Sequence, residues 1–258
     1  MKIIFHQSYY NSKYANDPAA APGRLESIMD YISTKPDAYD IMTPDPATKE
    51  DILRAHTQTH YDEIKGSPRL YEIASLAAGG AILSAQEAYK GNPSFAVIRP
   101  PGHHASADAC WGFCFFNNMS VSLLKLFSEK KINSAFILDF DLHYGDGNVN
   151  ILACRKDGFQ VDIHNPKGNN PSDYIDKVEG YMKKLQNIDI FGASAGFDEG
   201  INDWGGLLNA ENYYTLGELM KQYSRKLCQG RRFAIFEGGY YHPDLGKHVD
   251  AFCNGFRD

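Results

Sequence analysis

The sequence lacks three features that mark large classes of protein: long apolar segments, paired cysteines and an excess of basic residues. No run approaches the roughly 18 apolar residues that a membrane-spanning helix needs. The 26 Lys and Arg residues are outnumbered by 32 Asp and Glu residues, which gives a formal charge of −6. This balance excludes the basic footprint of proteins that bind nucleic acids directly.

The cysteines form no Cys-x-x-Cys pair, so neither a disulfide framework nor a zinc finger is indicated. They are Cys110, Cys114, Cys154, Cys228 and Cys253. The first residues have neither the apolar core nor the cleavage site of a signal peptide. We therefore expect a cytoplasmic protein without a membrane segment.

Six short apolar runs alternate with segments of helical periodicity, a pattern typical of an α/β protein. The runs cover residues 2–5, 95–98, 135–140, 159–163, 188–194 and 233–236. Because most of them are apolar at consecutive positions, they indicate parallel strands buried on both faces. Helical spacing predicts helices over 25–32, 175–185 and 213–227. No linker, repeat or charge block divides the chain, so we expect one domain over residues 1–258.

Four of the predicted strands run directly into segments rich in Gly, His, Asp and Glu. These segments are residues 99–104, 141–147, 194–198 and 237–240. In open α/β sheets, ligands bind beyond the carboxyl ends of the strands. We therefore expect the four segments to converge on one site.

Asp139, Asp141 and His143 alternate at the end of one predicted strand, so an extended backbone would point them the same way. Carboxylate oxygen and imidazole nitrogen suit zinc or another divalent metal, and a tetrahedral site needs a third protein ligand. Asp198, at another strand end, would supply it. The alternative is that Asp141 and His143 only cap the helix that follows Gly147.

His103 and His104 are adjacent after a Pro-Pro-Gly turn, which is rigid and excludes a helix. Two imidazoles there could divide the roles of base and acid around a water, provided that a partner orients each one. Asp139 and Asp146 are the expected partners. The alternative is that the histidine pair is non-catalytic or binds the metal itself.

Aromatic side chains accompany these polar groups. Tyr240 follows two glycines, and its hydroxyl could donate a hydrogen bond to a developing oxyanion. Spacing alone does not distinguish it from Tyr241. Cys114, among aromatic residues, is expected to be packed rather than nucleophilic, because burial disfavours a thiolate. Phe113 would then line an apolar passage.

Five motifs, in this order, resemble those of the zinc-dependent histone deacetylase and acetylpolyamine amidohydrolase family. They are Arg99-Pro-Pro-Gly-His-His-Ala105, Gly112-Phe-Cys-Phe-Phe-Asn117, Asp139-Phe-Asp-Leu-His-Tyr-Gly-Asp-Gly147, Ser194-Ala-Gly-Phe-Asp198 and Glu237-Gly-Gly-Tyr240. The resemblance implies the arginase-deacetylase fold, a single α/β domain around an eight-stranded parallel sheet flanked by helices.

Matched residue by residue, the resemblance also implies site roles. The implied zinc ligands are Asp141, His143 and Asp198. The implied catalytic residues are His103, His104, Asp139, Asp146 and Tyr240. The implied substrate-binding residues are Gly112, Phe113 and Gly238. In this assignment His104 is the base, Asp139 lies behind His103, and Asp146 lies behind His104.

Family members also bind a monovalent cation, so the resemblance implies a potassium site at Asp139 and the backbone carbonyls of Asp141 and His143. Asp162 stands where the family usually has a small hydroxyl residue, so the shell of this ion is expected to differ. The loop over 165–171 is shorter than in the family and lacks its aromatic residue, so one wall of the substrate tunnel should also differ. Two carboxylates and one imidazole would also accept Fe²⁺ in the cell.

Together these features predict a zinc-dependent deacetylase that hydrolyses the acyl amide of acetylated lysine and releases acetate. Acetylated polyamines are the alternative substrates, and the charge of −6 favours cationic substrates of either kind. A two-metal arginase-like site would need an aspartate where Gly145 stands. A non-catalytic acyl-lysine binder would be expected to have lost Tyr240 or a metal ligand. The sequence leaves the oligomeric state open.

Overall fold

The computed structural model describes residues 1–153 and 155–258. Cys154 lies outside the described residues, and the other four cysteines are free thiols. Helices flank one parallel sheet, as the alternation of apolar runs and helical periods predicts. No helix in the described part of the chain is both long and apolar enough to span a bilayer.

Seven strands in the described residues form the sheet, in the order β2-β1-β3-β7-β6-β4-β5, and all neighbouring strands are parallel. They are β1 (Lys2–Ile4), β2 (Asp40–Met42), β3 (Ser94–Ala96), β4 (Ser134–Asp139), β5 (Gln160–His164), β6 (Ile190–Ala195) and β7 (Arg232–Phe236). All six strands predicted from apolar runs are present. The residues of β3, β4, β6 and β7 are all buried, because these strands lie inside the sheet.

The implied number of eight strands is wrong for the described residues, and one of the seven, β2, was not predicted. This edge strand has only three residues, of which two, Ile41 and Met42, are apolar, and Ile41 is half exposed. A pair of apolar residues is too short to predict a strand. The opposite edge strand, β5, leaves Gln160 and Asp162 exposed. Polar, exposed edges of this kind are how a sheet ends without a further strand.

Nine α-helices in the described residues surround the sheet. They are α1 (Arg24–Ser33), α2 (Lys49–Leu53), α3 (Gln58–Lys65), α4 (Pro68–Tyr89), α5 (Asn118–Ser128), α6 (Asp146–Leu152), α7 (Pro171–Met182), α8 (Ala210–Cys228) and α9 (His242–Phe256). The three helices predicted from periodicity correspond to α1, α7 and α8, although α7 ends before Leu185. Helix α4 packs on β1, β3 and β7, and α8 packs on β6, β7 and α9.

The strand order explains where the site lies. Strands β3, β7, β6 and β4 are consecutive neighbours in the middle of the sheet, although they are far apart in the sequence. Their carboxyl ends therefore meet along one edge, and each leads into one of the four polar segments. The fold thus brings these segments together at the place where ligands bind in open α/β sheets.

Candidate active site

A pocket of about 260 Å³ is lined by residues of three of the four polar segments, 99–104, 141–147 and 237–240. Its lining residues are Pro101, His103, His104, Trp111, Gly112, Phe113, His143, Trp204, Gly238 and Tyr240. Apart from the two tryptophans and Pro101, every one of them was singled out in the sequence.

Asp141, His143 and Asp198 form a compact group whose ligand atoms all lie within 4.8 Å of one another. His143 Nδ1 is 3.2 Å from Asp141 Oδ1 and 3.0 Å from Asp198 Oδ2. Backbone amides fix both carboxylates, because Gly238 N–H donates to Asp141 Oδ2 and Leu142 N–H donates to Asp198 Oδ1. Three donors of this type suit a divalent metal.

The alternative that Asp141 and His143 cap a helix is wrong. Helix α6 begins at Asp146, and its N-cap residue, Gly145, makes no side-chain hydrogen bond. Asp141 instead accepts from the backbone amide of His143, at 2.9 Å. The carboxylates and the imidazole are thus held toward one another and away from the helix end.

The electrostatics of this group favour a cation. Burial, reinforced by the Asp141 carboxylate, raises the pKa of Asp198 to about 7. The adjacent carboxylates of Asp141 and Asp198 raise the pKa of His143 to about 10. In addition, Asp198 Oδ2 is buried and has no partner with hydrogen-bond geometry. Two buried carboxylates this close need positive charge between them.

Glycines leave the space that the group requires. A Cβ atom at Gly238 would lie 2.5 Å from Asp141 Oδ2 and 2.7 Å from Asp198 Oδ2. A Cβ atom at Gly196 would lie 2.2 Å from Asp141 Oδ2. Side chains at these positions would therefore displace the carboxylates.

Each of the adjacent histidines contacts the carboxylate that the sequence suggested. His103 Nδ1 is 3.3 Å from Asp139 Oδ2, and His104 Nδ1 is 2.6 Å from Asp146 Oδ1. A carboxylate only accepts, so each Nδ1 carries the hydrogen. Nε2 of His103 lies 3.7 Å from Asp141 Oδ1. Because the two Nδ1 atoms are occupied, the chemistry would take place at Nε2.

The surroundings of the two histidines push their pKa values apart. Burial opposes the charge of His103, but the carboxylates of Asp141 and Asp139 outweigh it and raise the pKa of His103 well above its usual value. Burial, together with the neighbouring His103, lowers the pKa of His104 to about 4. At neutral pH, His104 is therefore the imidazole that can accept a proton.

Glu237 has a positioning role that the sequence analysis did not assign. Its Oε2 accepts from the backbone amides of Gly102, at 2.6 Å, and His103, at 3.2 Å. Burial raises the pKa of Glu237 to about 7. The motif showed a glutamate at a strand end, but its partners lie on a loop more than a hundred residues away in the sequence.

The structure distinguishes the two tyrosines. Tyr240 lines the pocket, where its ring centroid is 6.1 Å from that of Phe113, whereas Tyr241 is 42% exposed outside it.

Gly112 also lines the pocket and has a φ of 57°, and a Cβ atom there would lie 2.4 Å from His104 Cδ2. Cys114 is buried, which raises the pKa of its thiol, as expected for a packed cysteine.

The sequence analysis missed both tryptophans of the chain, Trp111 and Trp204. Each is slightly more than half exposed, and both line the pocket. Trp204 stacks on Tyr240 with ring centroids 4.1 Å apart and adds an aromatic wall beside His143. Their only signal in the sequence was rarity, since the chain has just two tryptophans and both lie close to the motifs.

The chain is similar to proteins that are named as deacetylases or deacetylase-like. The family model described as histone deacetylase domain matches residues 19–191. A probable deacetylase of Methanothermobacter thermautotrophicus is 29% identical over 177 residues, which cover 63% of this chain and 54% of that protein. The chain thus spans little more than half of that relative.

Two further proteins are similar over most of the chain. A histone deacetylase-like amidohydrolase of Pseudomonas aeruginosa is 26% identical over 91% of this chain and 75% of that protein. The crystal structure of the HDA15 HD domain superimposes with a TM-score of 0.82 at 21% identity, covering 100% of this chain and 90% of that one. At this identity the second similarity supports the fold alone.

Proposed function

Because the chain belongs to the histone deacetylase family, we propose that it is a zinc-dependent amidohydrolase that removes acetyl groups from lysine side chains. The observation that carries the proposal is one pocket lined by His143, a member of the three-residue group that could hold a metal, and by two histidines that each contact a carboxylate. Asp141, His143 and Asp198 would hold the metal. When bound, zinc would act as a Lewis acid toward the amide carbonyl and make a nearby water more acidic.

The residues around the metal group would move the protons. His104 Nε2 would take the proton of the attacking water while Asp146 holds Nδ1. The Tyr240 hydroxyl would donate a hydrogen bond to the oxyanion that develops on the carbonyl oxygen. Protonation of the amine leaving group by the histidine pair then completes the hydrolysis, in which amide and water give acetate and a free amine.

The pocket walls would contact the methylene chain that carries the acetylated amine. Gly112, Phe113 and Gly238 line the pocket, and the apolar ring of Phe113 would suit contact with an extended methylene chain. Acetyl-lysine in a protein and acetylated polyamines both present such a chain with an amide at its end. We propose acetyl-lysine, and acetylpolyamine remains the alternative to be tested. The donor set would bind Fe²⁺ as well as Zn²⁺.

A potassium ion is also proposed beside the metal group. Asp139 Oδ1 is completely buried and has no hydrogen-bond partner, although Oδ2 of the same carboxylate contacts His103. Asp139, with the backbone carbonyls of Asp141 and His143, would bind this ion. Asp162 is exposed on β5.

We further propose that the protein acts in the cytoplasm, without direct contact with nucleic acid.

A substrate panel combined with metal analysis tests the proposal. The zinc-loaded protein is assayed with an acetyl-lysine peptide, N-acetylspermidine, N-acetylputrescine and peptides with longer acyl groups, and acetate release is measured. We expect the acetyl-lysine peptide to give the highest kcat/KM. A higher kcat/KM for acetylpolyamines would show that they are the preferred substrates in place of acetyl-lysine. No turnover of any acyl amide would favour a non-catalytic acyl-lysine binder.

A further inference from the structure

Trp111 makes two contacts with the His104–Asp146 pair. Its indole Nε1–H donates to Asp146 Oδ2 at 2.8 Å. Its ring also lies against the imidazole of His104, with centroids 3.9 Å apart and planes inclined by 37°. The same side chain therefore contacts both members of the pair.

Both oxygens of Asp146 are occupied as a result. Oδ1 accepts from His104 Nδ1 at 2.6 Å, and Oδ2 accepts from Trp111. The Asp146 side chain is 41% exposed. Asp146 is the first residue of α6, and the N-cap residue before it makes no side-chain hydrogen bond. Without the indole, only one hydrogen bond to a protein side chain would fix this carboxylate, and water would compete for it.

The imidazole of His104 is confined in the same way. Its ring centroid lies 4.0 Å from that of His103 and 3.9 Å from that of Trp111. Asp146 holds Nδ1, so the contacts leave Nε2 as the unengaged nitrogen. A planar base held by ring contacts and by one hydrogen bond has little freedom to rotate.

We propose that Trp111 is a positioning residue for the base: it fixes Asp146 through its N–H and His104 through its ring. This inference rests on the proposed function, in which His104 accepts the proton of water. It extends the histidine–carboxylate pair to a third member, an indole that is partly exposed at the mouth of the pocket.

An NMR experiment tests the contact without any assay of activity. In ¹⁵N-labelled protein carrying Trp204→Phe, the remaining indole N–H resonance belongs to Trp111. We expect this resonance to shift, and its exchange with water to accelerate, when Asp146→Ala is added. An indole resonance that Asp146→Ala leaves unchanged would overturn the inference.

A double-mutant cycle tests the positioning role. Trp111→Phe keeps a ring on His104 but loses the N–H donor, and we expect kcat to fall about 10-fold with KM changed less than about twofold. Trp111→Ala should lower kcat further than Trp111→Phe, because it also loses the ring that lies on His104. In the Asp146→Ala background, Trp111→Phe should change kcat by less than about twofold, because its target is gone.

The outcomes separate the inference from the proposed function. If the wild type is active and the effects of Trp111→Phe and Asp146→Ala multiply, the positioning role is wrong and the proposed function stands. If Trp111→Phe raises KM alone, the indole only binds substrate, and the inference is again overturned. If the zinc-loaded wild type turns over no acyl amide, the proposed function fails and the positioning role fails with it.

Discussion

At the scale of the residue, replacing His104 distinguishes a loss of proton transfer from a loss of metal binding. Its burial leaves it neutral, its Asp146 partner orients it, and it is not one of the three residues proposed to hold the metal. We predict that His104→Ala lowers kcat/KM by about 10²- to 10⁴-fold, since a general base contributes that much. Zinc content, measured by atomic emission after dialysis, should stay near one ion per chain.

The matched control is His143→Ala, which should lose the zinc as well as the activity. A His104→Ala variant that keeps the wild-type rate would contradict the assignment of the base.

Tyr240 is the second residue whose role can be tested alone. Tyr240→Phe removes one oxyanion donor, which should lower kcat by about 10²- to 10³-fold and leave zinc content unchanged. Tyr241→Phe is the control, because Tyr241 is adjacent in sequence but lies outside the pocket. Equal effects of the two substitutions on kcat would argue against a specific role for Tyr240.

At the scale of the element, a buried histidine anchors the loop that carries Phe113. His56 Nε2 accepts the backbone N–H of Asn117, the N-cap residue of α5, at 2.8 Å. Asn117 in turn caps the helix by accepting from Ser120 N–H. Burial lowers the pKa of His56 to about 3, so this histidine is neutral in the folded protein. The loop thus depends on an unprotonated imidazole.

This dependence predicts a loss of stability in acid. Below its ordinary pKa of about 6.5, His56 gains a proton in the unfolded chain but not in the folded one. Its contribution to the free energy of unfolding therefore falls as the pH drops from about 6.5 toward 3, by about 1.4 kcal/mol at pH 5.5. Urea denaturation at pH 7.5 and 5.5 measures the loss in the wild type and in His56→Gln.

We expect His56→Gln to lose about 1.4 kcal/mol less than the wild type between these two pH values, since glutamine does not titrate. Equal losses in the two proteins would show that His56 does not control this part of the pH dependence.

At the scale of the whole molecule, the proposed metal site would link folding to metal binding. Asp141 and Asp198 are buried carboxylates at the ends of two strands, and they come together only when the sheet has formed. A cation between them binds the folded state and not the unfolded chain, so it should stabilise the fold.

We predict that zinc at about 100 times its Kd raises the free energy of unfolding by about 2.7 kcal/mol. This corresponds to a rise in Tm of roughly 5 to 10 °C for a chain of this size. Differential scanning fluorimetry of the metal-free protein with and without zinc measures the shift. Asp198→Asn is the control and should show little shift, and a full shift in that variant would place the zinc elsewhere.

Much of this protein was predictable from the order of its residues. Runs of apolar residues identified six of the strands, and the reason holds for β3, β4, β6 and β7, which are buried on both faces. The same reasoning missed β2, an exposed edge strand without such a constraint. Polar residues at strand ends, such as Asp141 and Tyr240, were found because they interrupt apolar runs where ligands bind.

The tertiary structure alone decided which of these residues meet. The sheet places β7 between β3 and β6, and this order brings Glu237 to the amides of Gly102 and His103. It also sets Trp111 against Asp146. Local sequence fixes the chemistry of each side chain and the period of its element, whereas contacts between distant segments depend on how the whole sheet pairs and packs.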